Sequence, residues 1–79
     1  MGAEQALVER CVAARAAGLD FPAIWQTVLH RHPLVAGQPI QVNDGKRAWL
    51  EVPLTTGGRI ACDAESGYRL VSALEIVRR

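Results

Sequence analysis

Residues 46–63 read KRAWLEVPLTTGGRIACD, and the parity of this stretch decides the fold class. Successive side chains of a strand point to opposite faces. Ala48, Leu50, Val52 and Leu54 therefore fall on one side, and Arg47, Trp49, Glu51 and Pro53 on the other. Thr55-Thr56-Gly57-Gly58 carries the residue types of a tight turn. Residues 59–63 then return with Ile60 and Cys62 on the apolar side. Two alternating runs of matching parity around a short turn predict an antiparallel hairpin with one face set against a core.

Outward from the hairpin the alternation continues. Ala64-Glu65-Ser66-Gly67 is a further turn, and a strand begins at Tyr68 and runs to Val71. On the other side, Asn43-Asp44-Gly45 is a tight-turn signal, since these residues tolerate positive φ. Ile40-Gln41-Val42 before it reads as a short strand preceded by Pro39, and residues 34–37 as a connection with a short extended piece. Residues 72–79 fit either a continued strand or a short helix, and β-branched Ile76 and Val77 favour the extended form.

Before residue 34 the period is helical. Residues 3–17 are rich in Ala, Glu, Gln, Leu and Arg, all good helix formers, and Leu7, Cys11 and Ala14 line one side. Gly18 supplies a stop. Asp20 is a good N-cap, Pro22 suits a first turn, and Phe21, Ile24, Trp25, Val28 and Leu29 follow helical spacing. Pro33 ends the segment, with His30, Arg31 and His32 near its carbonyl end. Helices grouped ahead of strands predict an α+β domain spanning residues 1–79: two N-terminal helices packed on one face of a three- or four-stranded antiparallel β-meander. The expected core is Leu7, Cys11, Phe21, Ile24, Trp25, Val28, Leu29, Leu50, Val52, Ile60 and Leu70.

The chain has 79 residues, 49% of them hydrophobic and 22% charged, with a formal net charge of +1. This is ordinary globular composition, with no general attraction to polyanions. A chain this short has a thin core and needs most of its large apolar residues for packing. Cys11 and Cys62 are too few for a disulfide scaffold and read as reduced, buried residues, with a single bridge as the alternative. No apolar run reaches the length of a membrane span, and the N-terminus lacks the basic flank and apolar run of a secretion signal; a cytoplasmic location is expected.

No residue set predicts catalysis. Histidines two apart on a helix point about 200° away from each other, so His30 and His32 do not share a metal. Asp63-Ala64-Glu65-Ser66-Gly67 is turn chemistry rather than an acid–base pair. Ser66 and Ser72 lack a nucleophile-elbow context, and Gly57-Gly58 is too short to cradle a phosphate. The expectation is a non-catalytic domain with no cofactor and no metal.

Trp49 is the most informative residue. Its parity sets it opposite the apolar face, beside Arg47 and Glu51; the same parity across the hairpin adds Arg59, Ala61 and Asp63, with Arg69 joining from the next strand if Tyr68 and Leu70 face inward. Trp and Arg are the residue types that anchor interfaces. Either this face is closed internally, by arginine stems or the folded-back tail, or it is free for a partner. The predicted function is a protein–protein interaction or self-association module that uses this sheet face or an open edge, with Arg47, Trp49, Glu51, Arg59 and Arg69 as contact residues. The alternative is nucleic-acid binding by Trp49 and the neighbouring arginines, which Glu51, Asp63 and the small net charge disfavour.

Overall fold

The computed structural model describes residues 2–79. The hairpin of residues 46–63 forms as its parity dictates. Strand β2 (Ala48–Pro53) pairs antiparallel with β3 (Arg59–Asp63), with Val52 opposite Ile60 and Leu50 opposite Cys62. Strand β1 (Ile40–Asn43) pairs with the other side of β2, and β4 (Gly67–Val71) with β3, giving an antiparallel meander in the order β1-β2-β3-β4. The expected meander is thus four-stranded.

Residues opposite each other in an antiparallel pair share a face. One face therefore carries Leu50, Val52, Ile60, Cys62, Tyr68 and Leu70. The other carries Ile40, Val42, Trp49, Glu51, Ala61, Arg69 and Val71, with Arg59 among them. Ahead of β1, Val35 bridges to Leu54, the Ala36 amide donates to the Pro53 carbonyl (2.8 Å), and the Thr55 amide donates to the Leu34 carbonyl (2.8 Å). The outer chain thus follows β2 along its length and breaks only around Gly37 and Pro39.

Helix α1 (Ala3–Ala16) lies along β4 and buries Leu7, Val8 and Cys11. Both of its ends are tied to hairpin turns: Glu4 accepts a hydrogen bond from the Thr56 hydroxyl, and Arg15 Nη2 donates to the Ala64 carbonyl (3.1 Å). At the Glu4 anchor the turn at Gly58 packs so closely that a Cβ there would lie 2.9 Å from the Val71 carbonyl oxygen. Gly18, with φ of +99°, ends the helix as expected.

Helix α2 starts at Phe21, where Asp20 Oδ1 accepts from the Ala23 amide (3.1 Å). It is regular only over Phe21–Ile24 and widens into a π-helical segment over Trp25–Leu29, where the His30 amide donates to the Trp25 carbonyl (2.7 Å). The wider turn corrects the expected core. Ile24 and Leu29, five residues apart, are both fully buried with Val52 and Ile60, while Phe21, Trp25 and Val28 are half-buried around that cluster. Plain helical spacing places Ile24 and Leu29 in the core, as found, but not the half-burial of Phe21, Trp25 and Val28, because a π turn holds an extra residue. Leu54 and Val71 also join the buried set, beyond the residues expected there.

The tail differs from the extended form that its β-branched residues favour. Residues Ala73–Val77 form a short helix, α3, with Ser72 Oγ accepting from the Glu75 amide (3.1 Å). An N-cap and an escape from the sheet edge outweigh the small strand preference of two residues.

Candidate interaction face and its buried carboxylate

Trp49 and Glu51 alternate outward from the helix-covered side of β2, and the chain after α3 brings Arg79 back to Glu51. Glu51 is 0% exposed, the buried charged residue among the described side chains. Its carboxylate accepts from Trp49 Nε1 (2.8 Å), from Arg59 Nη1 (3.2 Å), and from both terminal nitrogens of Arg79 (3.0 and 2.7 Å). Burial pushes the Glu51 carboxyl up, but the hydrogen bonds from Arg79, Trp49 and Arg59 together outweigh it and hold its pKa down to about 2. Two-pronged guanidinium contact is among the stronger ways to compensate a desolvated carboxylate.

The other two expected contact residues flank this centre without joining it. Arg47 pairs with Asp63, whose Oδ1 also accepts from the Glu65 amide (2.9 Å). Arg69 Nη1 lies 3.4 Å from Glu75 of α3. Between these pairs lies a recess of about 170 Å³ lined by Arg47, Trp49, Ala61, Asp63 and Arg69. The structure thus gathers Trp49, Glu51 and Arg59 into one cluster and sets Arg47 and Arg69 at its sides. Each of the three arginines expected here is engaged by a carboxylate.

Arg79 is the residue that sequence reasoning missed. A signal for it exists: a glutamate on a central strand needs a cation once its face is covered, and residues 72–79 end in Arg78 and Arg79. What the pattern lacked was the helical tail that brings Arg79 across.

The remaining reactive residue types are occupied or buried. Cys11 and Cys62 are free thiols, and burial pushes their pKa values up to about 11 and about 12. The His30 ring lies against Trp25 (centroids 5.7 Å apart), while His32 Nδ1 accepts from the Leu34 amide (3.1 Å), so the two imidazoles serve different contacts. Among the described residues no group of three His, Cys, Asp or Glu stands together as a metal site. No described helix is long and apolar enough to cross a membrane.

At the open end of the helix–sheet layer a groove of about 430 Å³ is lined by Leu19, Phe21, Leu50, Cys62 and Tyr68, with Arg15 and Asp20 at its rim. Burial pushes the Tyr68 hydroxyl up to about 12. No family model, curated protein or solved structure matches this chain.

Proposed function

We propose that this chain is a non-catalytic interaction module that associates with a second copy of itself, along the side of the sheet that carries α3 and the β1 edge. The observation that carries this reading is where the exposed large apolar residues lie. Ile40 is 40% exposed, Leu74 60% and Val77 81%; the other such residue among those described, Val12, is on α1. Ile40 stands opposite Glu51 in the β1–β2 register, and Arg79 reaches Glu51 from the end of α3. The Arg79 side chain, two residues past α3, thus reaches the residue that pairs with Ile40. Exposed large apolar side chains of this kind favour association.

The occupant is a second copy because β1 suits itself. Its outer edge has no strand partner in the sheet, and Ile40-Gln41-Val42-Asn43 carries no charge. Two such edges can pair antiparallel about a two-fold axis without opposing like charges. The nucleic-acid alternative has less support, since Arg47, Arg59 and Arg69 each face a carboxylate.

Molar mass by light scattering after size exclusion, over a concentration series, tests the reading. The wild type is expected to reach dimer mass as concentration rises, and Leu74→Asp with Val77→Asp, or Ile40→Lys, to stay monomeric while melting like the wild type. A wild type that remains monomeric throughout overturns it.

A further inference from the structure

Away from the face described above, the helices present a second kind of surface. Arg10 of α1 and Arg31, just beyond the π-helical segment, line one open cleft of about 350 Å³ together with Gln26, Thr27 and His32. No carboxylate lines this cleft among the described residues. Neither arginine takes part in an ion pair or side-chain hydrogen bond among those described, whereas Arg47, Arg59, Arg69 and Arg79 all do. Two unpaired guanidiniums therefore share this one cleft, although the whole molecule carries only +1.

Two local features aim donors into the cleft. His32 Nδ1 accepts the Leu34 amide, so in the neutral ring the proton sits on Nε2, which is left as a donor. The extra residue of the π turn rotates the residues after it by about 100° on a helical wheel. That rotation belongs to the segment Trp25–Leu29, directly before Arg31 and His32. Single π turns occur frequently at functional sites.

The geometry points to an anion site between α1 and the end of α2, in which Arg10, Arg31, His32 and Gln26 hold the phosphate group of a small phosphomonoester. Two guanidiniums and neutral N–H donors, with no acid among them, match a tetrahedral dianion with several acceptor oxygens. The cleft is open, which leaves room for the rest of the ligand. This site is independent of the self-association surface, since it lies between α1 and the end of α2 rather than on α3 or β1.

The test is a ¹H–¹⁵N titration at constant ionic strength with inorganic phosphate and with phenyl phosphate, observing the Arg side-chain Nε–H and Gln26 amide signals. Saturable shifts confined to Arg10, Gln26, Arg31 and His32 are expected. Arg10→Gln and Arg31→Gln should each weaken binding at least about fivefold, while Lys46→Gln leaves it unchanged. Both arginines are on the surface, so a thermal melt serves as the folding control. Shifts that rise linearly, that chloride reproduces, or that survive both arginine substitutions overturn the proposal. Tighter binding of a single-stranded oligonucleotide than of phenyl phosphate at the same ionic strength overturns the small-ligand assignment.

Discussion

The two faces of this sheet are closed by different physics. Under α1 and α2, Leu7, Cys11, Ile24, Leu29, Val52 and Ile60 exclude water with no charged group among them. On the other face, the centre is a carboxylate held by two arginines and an indole, and α3, beyond whose end Arg79 lies, buries none of its own residues fully. The dry face derives its stability from area and packing, which any sufficiently apolar set can provide. The charged face depends on a few directional contacts around one carboxylate. A small domain has too few large apolar residues to build two dry layers, and here one layer is dry and the other is latched.

The largest effect is expected on the dry side. Ile60→Ala should cost about 2–5 kcal/mol, as for buried aliphatic truncations that leave a cavity, measured by denaturant unfolding. A cost under about 1 kcal/mol would show that the layer closes over the gap and would break the contrast. Next, Arg79→Ala should cost roughly 1–3 kcal/mol, less than the roughly 3–5 for breaking a fully buried pair, because Arg79 is itself partly exposed and Arg59 remains.

The pH dependence sharpens the comparison. The pKa of Glu51 is lowered from 4.5 to about 2, so its stabilising contribution is complete above 4.5 and lost as pH falls from there toward 2. The gap in stability between wild type and Arg79→Ala should therefore be constant near neutrality and close over that acid range. The cost of Ile60→Ala should not track the same curve. A gap that persists at pH 2 would mean that Arg79 acts by packing rather than by charge. Trp25→Ala tests the boundary of the dry face: the ring is only half-buried, so its loss should fall below the roughly 3–5 kcal/mol of a buried aromatic. The smallest effects belong to the caps. Asp20→Ala and Ser72→Ala should each cost about 1 kcal/mol, and thermal melts would show the former unfolding the domain earlier while the latter loosens only α3.

The sheet was legible because strand parity is a strong signal. The turns at residues 43–45, 55–58 and 64–67 fell where Asn, Asp, Thr and Gly put them, and Leu50, Val52, Ile60 and Cys62 all faced the helices. Two features escaped for physical reasons. The π turn cannot be read from apolar spacing: Val28 and Leu29 both fit a regular helix, and only the extra residue decides that Leu29 is buried and Val28 half-buried. The tail escaped because the propensities of Ile76 and Val77 are weak beside a cap at Ser72. Of the candidate site, Trp49, Glu51 and Arg59 were readable from parity, as was the chance that the tail covers them. The pairing of Arg79 with Glu51 was not, since it depends on a contact 28 residues apart in the chain.

Cys11 and Cys62 sit in opposite layers, on α1 and β3, at 0% and 7% exposure. The protein therefore carries a built-in clock for the separation of its layers. A thiol reagent added to the native state reacts only when the domain opens. If both sulfurs are modified with one time constant, helix layer and sheet part in a single event; if Cys62 leads, the mouth beside Leu50 and Tyr68 opens while α1 is still seated.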